Sequence, residues 1–182
     1  MNMPSRLVRL AALALFTLAL TGCVPVKVNS YLERGADLTR YRTYDWGAPD
    51  SWTTGDPRLD NNPFFQERVR ADVDKQLAGR GFEKTMSGRP DLRLHYHASF
   101  TQRIDTNGLD EARGYCDNHD CQPYVYEAGT LLLDFVDTRT NRVVWRGWAE
   151  GSVDGVIDNQ QWLEQRVDDA VKRILARLPR AL

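Results

Sequence analysis

His95 and His97 stand two apart in the run "DLRLHYHASFT". In an extended chain that spacing puts both imidazoles on one face of the strand. Asp134, Arg146, Trp148 and Glu150 fall at alternate positions of two later apolar runs, which assigns them to the same face. His95, His97 and Asp134 are residue types that hold zinc or move protons. A water-facing sheet surface carries the same residues for a simpler reason, because polar side chains alternate with core side chains on any half-buried strand. Strand order decides whether these groups meet at all. No other signal points to catalysis: the sequence contains no G-x-S-x-G, no H-E-x-x-H and no glycine-rich phosphate loop. The set is therefore read as a binding surface that needs no cofactor, on a protein that is not an enzyme. The alternative is a metal-binding or hydrolytic protein that uses His95 and His97, with Asp134.

Trp148 has a special place in this set. If Trp145 faces the core, Trp148 does not, because their separation is odd. An exposed tryptophan between Arg146 and Glu150 fits the centre of a protein interface with a charged rim. Packing beneath a long loop would also account for it.

A second cluster, "GYCDNHDCQ", places Cys116, His119 and Cys121 within nine residues. Zinc would need a fourth ligand from elsewhere, and the usual second ligand pair is missing nearby. A disulfide between Cys116 and Cys121 needs only that the "DNHD" turn bring the two Cα atoms together. The choice depends on compartment, since disulfides persist outside the reducing cytosol.

The N-terminus bears on that choice. Arg6 and Arg9 precede the uncharged run "LAALALFTLAL", and "LTGC" follows. A basic segment, a short apolar segment and small residues make a secretory signal, and the run is too short for a membrane-spanning helix of about 20 residues. "LTGC" resembles the lipobox, in which Cys23 is lipidated and becomes the first mature residue. Residues 1–22 are then the signal peptide and 23–182 one lipid-anchored domain. Val24, where the inner-membrane sorting signal has Asp, implies the outer membrane, with the domain facing the periplasm. Of the three cysteines, Cys116 and Cys121 then remain as an even pair in an oxidising compartment, which favours the disulfide. Losing Arg6 and Arg9 takes the formal charge from −1 to −3, so nothing argues for nucleic acid as a partner. The expected contacts are the membrane, through the lipid, and an envelope protein or cell-wall partner.

Periodicity supplies the elements that must position these groups. "VPVKVNSY" and "YRTYDWG" alternate as strands and are expected to pair. Asn62 caps a helix with Pro63 at its first position, and Phe65, Val69, Val73 and Leu77 form its apolar stripe. Arg68, Arg70, Asp72 and Lys75 are assigned to its wet side. "DLRLHYHASFT" is a third strand. Residues 102–123 form an irregular insert. "YVYEAGTLLLDFVD" and "RVVWRGWAEGSV" are two more strands, with Leu131, Leu133, Phe135, Val143, Trp145 and Ala149 toward the core. Asp158 and Gln161 are spaced to cap a final helix. The order β-β-α-β-β-β-α predicts an α+β two-layer sandwich: a mainly antiparallel sheet of about five strands, with two amphipathic helices on one face.

Three stretches, "YRTYDW", "RPDLRLHYHAS" and "GTLLLDFVDTRTNRVVWRGWAEG", resemble the family known as domain of unknown function 4136. The likeness runs from about Val26 to Leu178. It implies an envelope lipoprotein of Gram-negative-type bacteria and brings no catalytic residues with it. The cysteine-bearing insert is not part of the resembling pattern. The lipobox makes one expectation testable in vivo. Cys23→Ser should leave an uncleaved precursor that incorporates no labelled fatty acid, whereas a variant that still takes up label overturns the assignment.

Overall fold

The computed structural model describes residues 26–48, 53–60, 62–105 and 124–179. Its centre is a meander of three long strands. β4 (Leu92–Asp105) and β5 (Tyr124–Asp137) pair antiparallel along their whole length, and β6 (Arg142–Ser152) returns beside β5. The first four residues assigned to an irregular insert, Gln102 to Asp105, are therefore strand. They stand opposite Tyr124–Glu127 and lengthen the hairpin.

β1 (Lys27–Leu32) adds antiparallel to β6, while β2 (Thr43–Trp46) adds parallel to β4 on the far side. A two-residue strand, β3 (Glu83–Lys84), pairs parallel with β2 at the edge. The sheet has six strands in the order β1-β6-β5-β4-β2-β3. The expected pairing of the first two strands is thus wrong: β6, β5 and β4 stand between them. The parallel contact has a simple cause. Parallel neighbours need a crossover of a dozen or more residues, and helix α1 (Pro63–Ala78) lies between β2 and β4 in the chain.

The helices form where their caps predict, with two corrections. Asn62 accepts the Phe65 N–H at 3.1 Å and starts α1. Helix α2 (Gln160–Ala176) is capped by Asn159, which accepts the Trp162 N–H at 3.1 Å. Asp158 does not cap it and instead pairs with Arg58. Asp72 is buried although its register is polar, because Arg68 reaches over it with Nε 2.8 Å from Oδ2.

One core joins Phe65, Val69, Val73 and Leu77 of α1, the α2 stripe from Val167 to Leu175, and the inner residues of β4, β5 and β6. Leu131, Leu133, Phe135, Trp145 and Ala149 are buried as the alternation predicts. Val143 is not. Phe135 pairs with Trp145 while Val136 pairs with Val143, so Val144 is an extra residue and the alternation slips there. Gly147 allows α2 to close on the sheet: a Cβ there would lie 2.4 Å from the Trp145 ring and 2.7 Å from Ile174.

Polar latches tie β2 to this frame. Asp91 Oδ2 accepts the N–H groups of Arg42 and Thr43 at 2.9 and 3.0 Å. The Asp91 N–H in turn donates to Thr43 Oγ1 at 3.0 Å. Tyr41 donates its hydroxyl to the buried Asp137 at 2.9 Å. Tyr44 and Trp46 both donate to Asp74 of α1 at 2.9 Å. These bonds hold the Asp91 carboxyl below its ordinary value, led by the two backbone donors. For Asp137, burial pushes upward, but the N–H groups of Arg139 and Thr140 and the Tyr41 hydroxyl outweigh it and the net shift is downward. A lowered folded-state pKa stabilises above the unfolded value of about 3.9, and that stability is lost as pH falls through the folded value. Urea unfolding free energy should therefore hold steady above about pH 5 and fall below about pH 4. In Asp91→Asn and Asp137→Asn the wild-type decline should be shallower and the neutral-pH stability lower. An acid limb identical to wild type would remove these two carboxylates from the account.

Candidate functional site

The face of the sheet away from α1 and α2 brings together the residues singled out by their alternation. Register places His95, Asp134, Arg146 and Tyr31 side by side across β4, β5, β6 and β1. The next row is His97, Leu132, Trp148 and Asn29, and the one after it Ser99, Thr130, Glu150 and Lys27. His95, His97, Arg146, Trp148 and Glu150 are all half-buried.

Asp134 organises the first row. Its side chain is 6% exposed, beneath an Arg146 side chain that is 43% exposed. The guanidinium grips it with two bonds of 2.6 Å, from Nε to Oδ1 and from Nη2 to Oδ2. His97 Nε2 lies 3.8 Å from the same Oδ2. His95 lies over the end of β2, where a Cβ on Gly47 would come within 2.1 Å of its ring. Glu150 pairs with Arg103 at 3.0 Å, one end of the second charged contact on this face.

This arrangement suits binding better than acid–base work. Both Asp134 oxygens are committed to Arg146, so a metal ion would first have to displace the guanidinium. Among the described residues no group of three or more His, Cys, Asp or Glu is placed to hold a metal. Cys23, Cys116, His119 and Cys121 lie outside the described residues. No described helix is long and apolar enough to cross a membrane.

Two features escaped the sequence reading. The tyrosines and Trp46 of "YRTYDW" and the Asp of "RPDL" are latch residues, as described above. The second is an apolar cleft on the opposite, inner face, between the sheet and α2, lined by Phe100, Gly129, Gly151, Leu163, Arg166 and their neighbours. Its signal was the pair of glycines inside β5 and β6, since glycine in a strand marks a close approach or a gap.

The chain matches the family profile described as "Domain of unknown function (DUF4136)" over residues 28–180. No curated protein matches it significantly. Among solved structures it is similar to a PelC dodecamer from Paraburkholderia phytofirmans, with 12% identity, a TM-score of 0.51, and coverage of 87% of this chain and 100% of that one. It is also similar to a PDZ domain protein from Parabacteroides distasonis, with 14% identity and a TM-score of 0.52 over 86% of this chain and 35% of that protein. A DUF4136 family protein from Bacteroides thetaiotaomicron matches at 11% identity and a TM-score of 0.47, covering 81% of this chain and 94% of that one. At these identities the first two likenesses describe the fold alone.

The Asp134–Arg146 pair carries a measurable cost. Arg146→Ala leaves a buried carboxylate without its bidentate partner. Because the guanidinium faces water, the expected loss is about 1–3 kcal/mol and not the larger penalty of a fully buried pair. Replacing both residues by leucine should cost less than Arg146→Ala alone. Urea unfolding of the three variants checks the order, and a double variant less stable than the single one contradicts it.

Proposed function

The chain belongs to the DUF4136 family, and from that premise we propose that it is a non-catalytic, lipid-anchored protein of the bacterial envelope. Its domain binds another envelope component, a protein or cell-wall polymer, through the open sheet face. Lipidation at Cys23 holds it at the outer membrane with the domain toward the periplasm, where a Cys116–Cys121 bridge forms. A lipid anchor with more than one acyl chain is stable, so the fold is free to serve recognition.

The observation that supports this reading is the side of the sheet that no described helix covers. It combines a half-buried tryptophan with fixed charges on adjacent rows: Arg146 clamped on Asp134, and Glu150 paired with Arg103. Fixed polar groups around an aromatic anchor lose little freedom on binding. His95 and His97 contribute donors and acceptors at the same rim.

Trp148→Ala tests it. Interface anchors cost about 2 kcal/mol or more on truncation, roughly thirtyfold in affinity, and rim residues cost little. Crosslinked envelope capture with the variant should lose the partner while the thermal midpoint stays near wild type. His95→Ala with His97→Ala should weaken capture less. Unfolding of Trp148→Ala, or undiminished capture by it, defeats the proposal.

A further inference from the structure

One end of the sheet is β3, whose two residues are too few to template another strand. The other end is β1, and it differs. Its six residues pair with β6 in one unbroken register, from Lys27–Glu150 to Leu32–Trp145. Edges are usually guarded by a charge, a proline or a bulge, and none of these interrupts Val28 to Leu32. Tyr31 and Leu32 are 50% and 39% exposed.

The ladder with β6 fixes which backbone groups are spoken for. The Glu33 N–H donates to the Val144 carbonyl at 3.0 Å, so these two form a hydrogen-bonded pair. Such pairs recur at every second residue of an antiparallel ladder. Lys27, Asn29 and Tyr31 therefore turn their backbone groups to β6. Val28, Ser30 and Leu32 turn theirs to the open edge.

The side chains select what pairs there. Laid antiparallel on a second copy of itself about Ser30, the segment 27–33 is complementary throughout. Val28 meets Leu32 of the second copy and Ser30 meets Ser30, and these are the residues whose backbone groups face the edge. Between them Asn29 meets Tyr31, and at the ends Lys27 meets Glu33. Among the described residues Lys27 has no ion-pair partner. Glu33 is fixed by Arg142 at 2.6 Å and by the Tyr31 hydroxyl at 2.9 Å. A carboxylate has about four lone-pair sites, so it can take the ammonium as well. Re-centring on Asn29 or Tyr31 would set together backbone groups that β6 already holds. Re-centring on Val28 or Leu32 loses the Lys27–Glu33 pair. The helices leave room: Ile174 of α2 rests over Gly147, which stands opposite Ser30. Three interstrand spacings, roughly 14 Å, separate that point from its counterpart, against about 8–10 Å for packed helices.

We propose that β1 is a self-association edge, on which two copies of this chain join their sheets antiparallel across a two-fold axis at Ser30. The axis stands normal to the sheet, so both open faces lie on one side. The inference depends on neither Trp148 nor the lipid.

Cysteine bridging in intact cells tests it. The full chain carries Cys116→Ser and Cys121→Ser, so that only an added thiol reports, and a mild oxidant is applied. Ser30→Cys should give a disulfide-linked dimer, because its Cα atoms would stand about 5.5 Å apart. Differently tagged Asn29→Cys and Tyr31→Cys copies should bridge to each other, at about 4.5 Å. Neither should bridge to its own kind, at roughly 8 Å. Ser30→Pro removes only an edge-facing N–H, so it should abolish the Asn29–Tyr31 bridge and leave the thermal midpoint near wild type. Lys27→Glu should slow that bridge about fivefold. If Ser30→Pro fails to fold, Lys27→Glu and the choice of cysteine partners decide. A monomeric Ser30→Cys, like-with-like bridging as fast as the mixed pair, or a folded Ser30→Pro that still bridges overturns the proposal. So does a Ser30→Cys bridge to a different protein, which would assign the edge to a partner's strand.

Discussion

The Asp91 carboxylate, closed on the backbone N–H groups of Arg42 and Thr43 at the start of β2, is the contact on which the arrangement of this sheet turns. β2 has only four residues and no hairpin to hold it. Its parallel ladder with β4 spans three residue pairs, Tyr44–Leu92 to Trp46–Leu94. Such a short ladder is marginal alone. Asp91 fastens its beginning, Tyr41 binds Asp137 below it, and Asp74 ties Tyr44 and Trp46 to α1. With β2 fixed, the crossover returns α1 to the inner face, and no described helix covers the outer face.

That division gives the domain two surfaces of different chemistry. The outer face is polar and preorganised by ion pairs, with Trp148 between them. The inner face is apolar and almost closed, except where glycine and alanine replace larger side chains. Gly147 and Gly129 are both inner-face glycines, and both let neighbouring side chains close in. At Gly147 the missing Cβ lets Ile174 and the Trp145 ring approach, so the space is used. At Gly129 the missing Cβ lets the Val153 and Phe100 side chains approach, at 2.7 and 3.0 Å from where it would stand, and only a small cleft remains beside them.

The family stretches acquire a physical meaning in this setting. "YRTYDW", "RPDL" and "DFVDTRTN" meet at one end of the sheet. Asp137 receives the Arg139 and Thr140 N–H groups at the β5–β6 turn, and Thr138 donates to the Pro90 carbonyl at 2.6 Å. In this chain these residues close a scaffold. The surface read here as functional, around Trp148, lies elsewhere on the chain.

Local patterns by themselves determined both helices, the three meander strands, the inward residues from Leu92 to Phe100 and from Leu131 to Phe135, and the common face of His95, His97, Asp134, Arg146, Trp148 and Glu150. All of these depend on period and parity, which neighbouring residues carry. Tertiary structure decided what sequence distance conceals. β1 and β2 part to opposite sides of the meander, β2 runs parallel to β4, Val144 bulges, and Asp72 is buried under Arg68. It also decided that Arg146 clamps both oxygens of Asp134 while His97 stays 3.8 Å from one of them, which no local pattern could show. The cleft was invisible for the same reason: a gap is a property of four strands and a helix at once, and no single stretch of chain contains it.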